Sequence, residues 1–404
     1  MRRAQAPRLL VDVSQYVRWP AVSGVQRALG HLAGNWHGHA VDARYGFIED
    51  GSYVTGPLSE LGSLIASTFR ADERWPEPST RSRSRDVRDA LLSCSNETVP
   101  ADRVKAAFDA YLLPEPTVHE DSLAVAMHLR SVAFFIYYDA LPLTHPQFFE
   151  PSADGRAILT RYHLAVVGSE NVAYISESTR RTFEQRIARR KPTNGIVVRP
   201  GADSLQRQRT TASGTPTFTV VGTVEPRKRH RVIIDAFEQL WSAGRDYELV
   251  VLGGRGPGQA DLLERIEALS EKSRVLWIEV PDDDVVSDIL ARSSAMVFAS
   301  DAEGYGLPPL EALAIGCPVI VSANLPALEG LEEAGQIRLP AVTTEALRSA
   351  VETLADPTRN AAYRQAIQSL DLPTWKEFAR KIEDWVTSVS ASSTSPMVPE
   401  GAQT

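Results

Sequence analysis

The chain has 404 residues, 43% hydrophobic and 23% charged, with a formal net charge of -8 and a mean hydropathy of -0.19. That length exceeds one compact core and suits two domains, and the composition excludes a disordered or membrane-embedded protein. Residues 1–200 carry 24 Lys and Arg against 22 Asp and Glu, the remainder 19 against 29, so there is no global basic surface for nucleic acid.

Cys94 and Cys317 are the only cysteines and lie far apart, which suggests neither a disulfide framework nor a zinc cluster. The apolar run SVAFFIYYDALPL is broken by Asp139 and is too short to span a bilayer. The opening MRRAQAPRLLVDVS has basic residues but only a short apolar run before Asp12, which makes no signal peptide, so a cytoplasmic chain is expected.

In chain order, RLLVDVS (8–14) reads as a strand and SGVQRALGHLAG (23–34) as a helix with a serine N-cap, helical spacing and a closing glycine. Residues 70–90, RADERWPEPSTRSRSRDVRDA, are polar, proline-bearing and arginine-rich and are expected to form a mobile surface loop. VAFFIYYDALP and NVAYIS read as strands, the second leading into the helix ESTRRTFEQRIARR. In VVRPGADSLQRQRTTASGTPTFTVVG (197–222) a strand stops at Pro200 and Gly201, and a Ser- and Thr-rich linker leads to a new apolar strand. Beyond it, strands at 217–222, 247–252, 275–278, 295–299 and 318–321 alternate with helices at 230–243, 260–272 and 283–293.

Short apolar strands alternating with amphipathic helices indicate α/β architecture with parallel sheets covered on both faces. The expected organisation is two doubly wound, Rossmann-like domains, 1–203 and 217–371, joined by a linker at 204–216 and facing a cleft at their strands' carboxyl ends. A helix at 372–389, with Trp375, Phe378, Ile382 and Trp385 at helical spacing, is expected to pack across the domains, and 390–404 is disordered by composition.

Chemistry concentrates in the second half. In FTVVGTVEPRKRHRVIIDAF, Gly222 ends a strand, and Arg227 and Lys228 arrive just before a helix whose free N–H groups favour phosphate; the alternative is a solvated basic helix start. In SDAEGYGLPPLEALAIGCPVIVS, the glycines permit close backbone approach and the prolines open a helix that Gly316 ends. Glu311 is expected in its first turn and Glu303 in the loop outside, both at the carboxyl end of one strand. Other clusters are read structurally. Asp282, Asp283 and Asp284 form an N-cap and first turn rather than a metal site, and His31, His37 and His39 are expected on the surface. GGRGPG (253–258) is a turn in which Gly253 lines the crevice, since it lacks the P-loop lysine.

The segment EGYGLPPLEALAIGCPVIVS resembles the E-x7-E segment of retaining glycosyltransferases of family 4, which have the GT-B fold. VVGTVEPRKRHRVIIDAF is similar to that family's strand and phosphate-binding turn, and YELVVLGGRG follows in the usual order. In the first half DVSQYVRWPAVSGVQRAL resembles a D-x-S... G-x-x-R pattern and FIYYDALPLTHPQFF a D-x-x-P segment, so the resemblance spans roughly residues 8–390. It implies a nucleoside diphosphate sugar as donor, a glycan or lipid-linked glycan as acceptor, and no metal or other cofactor. By the same resemblance Glu311 binds the ribose and Glu303 the transferred sugar. Backbone N–H groups from Tyr305 through Gly306 to Leu307, with Arg227 and Lys228, hold the diphosphate. Gly24 lets the first domain approach it, and Asp139 lies near the acceptor or anomeric carbon. Two positions depart from the pattern: Thr223 follows Gly222 where some members have arginine, and Tyr138 stands where many have histidine.

The resemblance also implies a place in cell-surface polysaccharide synthesis with a mannosyl- or rhamnosyl-type transfer. Against it stand a catalytically silent sugar-nucleotide-binding module and a GT-B epimerase or phosphorylase. The 70–90 segment is open to two readings, contact with an anionic membrane surface at the inner face and a solubilising insert.

Overall fold

The computed structural model describes residues 6–20, 23–38, 40–70, 80–149, 153–206 and 214–393. Residues 207–213 of the expected linker, His39 and 71–79 lie outside them. The first sheet contains β1 (Arg8–Asp12), β2 (Asp42–Glu49), β3 (Ser52–Pro57), β4 (Glu97–Pro100), β5 (Ala110–Leu113), β6 (Ala133–Tyr137), β7 (Asn171–Tyr174) and β8 (Ile196–Val197). Their order is β4-β3-β2-β1-β5-β6-β7-β8. The second holds β9 (Thr217–Val221), β10 (Glu248–Leu252), β11 (Val275–Ile278), β12 (Ala295–Phe298), β13 (Val319–Ser322) and β14 (Gln336–Leu339), in the order β11-β10-β9-β12-β13-β14.

The second sheet is parallel throughout, and its central strands read as continuous apolar runs because both faces are covered. The first sheet departs from the expected parallel arrangement at one edge, where β3 pairs antiparallel with β2 and β4. Its cause is Asp50-Gly51, both at positive φ (47° and 75°), the dipeptide that turns a two-residue hairpin with the right twist. That signal is present in the sequence between two alternating runs.

Two further expectations are corrected. Residues 80–90 are not loop but part of a helix, Thr80–Cys94, which buries Val87 and Leu91 and receives the Tyr45 hydroxyl at the Leu91 carbonyl (2.6 Å). Its arginines mask an apolar stripe one helical turn apart. Likewise the last helix, Trp375–Ser393, continues past 389 into the stretch expected to be disordered; 394–404 lie outside the described residues.

That last helix leaves the second domain and packs on the Gly24–Gly34 helix of the first. Trp375 is buried and stacks on His31 with ring centroids 4.4 Å apart, while its indole N–H donates to Ser204 Oγ at 2.7 Å. His31 is therefore not a free surface histidine. A Cβ on Gly201 would lie 2.2 Å from the Trp375 nitrogen, so glycine is required where the two interdomain crossings run side by side. Ala202 N–H donates to the Pro373 carbonyl (2.8 Å), and Trp375 N–H to Asp203 (2.8 Å).

Trp375→Ala is expected to cost about 3–5 kcal/mol in guanidinium unfolding, from the lost burial and the cavity left behind. Burial, aided by the Arg27 charge, lowers the His31 pKa to about 4. Because the unfolded chain binds that proton from about pH 6.5, stability is expected to fall between pH 6.5 and 4. A His31→Phe variant, which keeps the stack, should show a shallower acid limb in thermal melts.

Candidate functional site

β9 is followed in sequence by β10 on one side and flanked by β12 on the other, so the loops leaving β9 and β12 diverge and open a crevice between them. Gly222 and Gly253 line its floor at φ 131° and 153°, and a Cβ on Gly253 would lie 2.3 Å from the Gly222 carbonyl oxygen. These glycines let the loops after β9 and β10 join through Val224 N–H to the Gly254 carbonyl (2.9 Å). Thr223 between them is exposed.

Pro226–Lys228 forms one 3-10 turn, and Arg229, left-handed at φ 53°, redirects the chain into the His230–Ser242 helix. Lys228 folds back over Gly222, where a Cβ would meet its ammonium at 2.1 Å, and the ammonium lies 5.6 Å from the Phe298 ring centroid. Burial lowers the Lys228 pKa, with the nearby Glu303 charge opposing, yet the Lys228 ammonium has no ion pair or hydrogen bond among the described residues. Arg227 is spent differently: it pairs with Glu225 and with Glu303, each at 2.6 Å.

Glu303 also accepts from Ser300 Oγ at 2.8 Å, which fixes its carboxylate at the end of β12. Gly306, left-handed at φ 94°, starts the Leu307–Ala314 helix, with prolines in its first turn. Tyr305 points away into the core, its hydroxyl on the Pro200 carbonyl (3.3 Å). Glu311 is the fifth residue of that helix, not in its first turn as expected, because the helix begins at Leu307. The free N–H groups of the helix start therefore do not hold this carboxylate. Arg27 from the first domain does, at 3.3 Å and without hydrogen-bond geometry, while also donating to Asp283 at 3.2 Å. Glu311 is only 5% exposed, and its Oε1 has no hydrogen bond.

Asp139 reaches the same crevice from the end of β6. Its carboxylate accepts from Leu141 N–H (2.9 Å), and a Cβ on Gly304 would lie 2.7 Å from its Oδ2. Burial raises the Asp139 pKa, opposed by that hydrogen bond and by Arg227. Thr179 Oγ1 shares its proton between the Tyr138 carbonyl (3.1 Å) and the Gly304 carbonyl (3.2 Å), tying the first domain to the Glu303 loop. A Cβ on Gly24 would lie 3.9 Å from Leu307 Cδ1, so the amino ends of two helices meet across the cleft.

Of the residues singled out in the sequence, Glu303, Arg227, Lys228, Asp139, Gly222 and Gly253 converge at the switch point. Gly24, Leu307 and Glu311 form a neighbouring group. A cavity of about 410 Å³ opens beside Asp139 and Glu303, reached by Thr182, Arg186, Asp301 and Asn324; Glu311 and Lys228 lie outside its lining. Sequence reading assigned no role to Arg27, whose signal was its place three residues after Gly24, nor to Thr179. Tyr138 sends its hydroxyl to the Pro114 carbonyl (3.0 Å), away from the cleft, whereas the buried His163 lies near enough to Asp139 to feel its charge. Asp282 caps the Asp283–Arg292 helix by accepting from Val285 N–H (2.7 Å).

Residues 202–368 match the family Glycosyl transferases group 1. The Escherichia coli serotype-specific mannosyltransferase WbdA is 26% identical over 406 residues, covering 92% of this chain and 44% of that protein, so the chain spans less than half of that relative. Sucrose-phosphate synthase from Thermosynechococcus elongatus superposes with a TM-score of 0.61 at 17% identity, covering 96% of this chain and 100% of that one. Anabaena Alr3699/HepE, solved in complex with UDP and glucose, gives 0.56 at 17% identity, covering 96% and 98%. The fold is GT-B: two α/β domains whose strand ends face one cleft. Among the described residues no helix is long and apolar enough to cross a membrane.

Gly304→Ala is expected to push the Asp139 segment from the Glu303 loop, because Leu141 holds that carboxylate in place. The cost should be about 1–3 kcal/mol, read as a lower thermal midpoint together with a larger radius of gyration in small-angle scattering.

Proposed function

We propose that the chain is a retaining glycosyltransferase of family 4 that moves a sugar from a nucleoside diphosphate donor to a glycan or lipid-linked glycan acceptor in cell-surface polysaccharide synthesis. The WbdA relative favours mannose as that sugar. One observation carries the reading: the cleft holds a half-buried Lys228 ammonium folded over Gly222 without an ion pair, and a buried Glu311 oxygen without a hydrogen bond. A buried cation demands an anion and a buried acceptor demands a donor. A sugar nucleotide supplies both, as diphosphate and as ribose hydroxyls.

In this scheme Lys228, Arg227 and the N–H groups from Tyr305 to Leu307 face the diphosphate. As the bond from the anomeric carbon to the diphosphate oxygen breaks, negative charge grows on the leaving oxygens, and the helix N–H groups and the Lys228 ammonium, which has no ion pair to give up, are the donors that take it. Glu303 orients the sugar, and Asp139 sits where acceptor and anomeric carbon meet. The acceptor oxygen bonds to that carbon on the face the diphosphate leaves, and its proton passes to the departing phosphate. Closure over the site excludes water and limits donor hydrolysis. No step is routed through a metal. The cytoplasmic setting, with peripheral contact at the inner membrane face where a lipid-linked acceptor is presented, belongs to the same proposal.

Glu311→Ala is expected to weaken donor binding at least tenfold in isothermal titration, and unchanged affinity would remove the ribose role. Lys228→Ala should lower turnover by about a hundredfold or more, the scale of losing one preorganised donor, with a smaller change in KM. Release of nucleoside diphosphate only when acceptor is added, insensitive to EDTA, distinguishes a transferase from a silent binding module, an epimerase or a phosphorylase.

A further inference from the structure

Charge in the cleft does not balance around a diphosphate if only the second domain is counted. Arg227 is shared between Glu225 and Glu303, which leaves Lys228 as that domain's one unpaired cation among the described residues near Gly222. Thr223 adds no charge. A nucleotide sugar carries about two negative charges on its diphosphate, and the departing nucleoside diphosphate carries more.

Arg27 stands where the missing cation is needed. It lies in the first turn of the Gly24–Gly34 helix, whose Gly24 faces Leu307, the first residue of the Leu307–Ala314 helix. Its partners, Glu311 and Asp283, both belong to the second domain. The Glu311 contact is a 3.3 Å ion pair with no hydrogen bond, so the carboxylate is neutralised but left open to better donors. The Arg27 side chain is 19% exposed and that of Glu311 6%, so neither can lose its partner to bulk water without cost.

We propose that Arg27 is a donor-binding cation that changes partner: paired with Glu311 here, it passes to the diphosphate when ribose hydroxyls take that carboxylate. Ribose binding thereby frees the guanidinium for the phosphates, and the exchange couples donor binding to the seating of the two domains. A guanidinium suits this role because its fork can keep Asp283 on one edge while it presents the other to phosphate oxygens. The proposal rests on the reading that Glu311 receives the ribose.

The test starts with wild-type protein titrated calorimetrically with GDP, UDP, ADP and dTDP; the nucleotide that binds is then compared with its nucleoside. Arg27→Gln is expected to weaken the diphosphate about tenfold to a hundredfold and to leave the nucleoside within about threefold. Arg27→Lys, which keeps the charge but not the fork, should fall between wild type and Arg27→Gln in diphosphate affinity and covers the case in which the glutamine variant fails to fold. Equal losses for nucleoside and diphosphate would mean that Arg27 only supports Glu311, and no loss for either would mean that it only pins the domains; both overturn the exchange. Failure of wild type to bind any nucleoside diphosphate overturns the underlying reading instead, and is seen before any variant is made.

Discussion

Asp139, Glu225, Glu303 and Glu311 face Arg27, Arg227 and Lys228 where the strand ends of two sheets meet, and each of these charges is held largely out of water. Charge compensation under desolvation is the constraint on which the rest of the cleft depends. Arg227 satisfies two carboxylates at once, Ser300 takes a further lone pair of Glu303, and Leu141 anchors Asp139. What remains, an ammonium over Gly222 and a Glu311 oxygen that Arg27 neutralises without a hydrogen bond, marks the place at which the protein's own groups stop matching one another. Unmatched demand at a topological switch point is where a ligand of opposite character gains most.

The two domains are held in different ways at the two ends of their interface. At the crossings, Trp375 stacked on His31 and seated against Gly201 gives a buried apolar clasp. At the cleft the contacts are polar: the Thr179 hydroxyl, the Arg27 pair and, at the rim, a bidentate Arg181–Glu329 bridge at 2.7 and 3.0 Å. An exposed bridge of that kind contributes little. In the proposed scheme the clasp is the pivot and the polar cleft side exchanges partners as the site closes around a donor.

Much of the fold was legible from periodicity and punctuation. Apolar runs located β9 to β13, the first sheet's last strand was found although it stops at Val197, short of Pro200 and Gly201, and the Asp282 cap stood out from its spacing. The misreadings have physical causes as well. The Asp50-Gly51 hairpin went unread although its turn dipeptide is in the sequence, because the alternation of strands and helices along the rest of the chain implied parallel strands throughout. The Thr80–Cys94 helix was hidden by arginines, whose composition signals solvent although Val87 and Leu91 face the core. Glu311 was assigned to the first turn with the prolines, but counted from Leu307, the residue after the left-handed Gly306, it is the fifth residue and falls just beyond that turn.

What the amino-acid sequence determined by itself was local: strands and helices from their period, tight turns from glycine and proline, and two carboxylates on one loop-helix unit beside a basic turn. These follow from interactions between residues close in the chain, so they can be read from it. Only the tertiary structure decided that Arg27 faces Glu311 across 284 positions of sequence, that Arg227 is already committed to two carboxylates while Lys228 is not, and that Gly304 leaves room for Asp139. Those pairings depend on how two sheets are set against each other, and burial in the cleft, not any property of the side chains alone, determines which charges are compensated and which are left for a ligand.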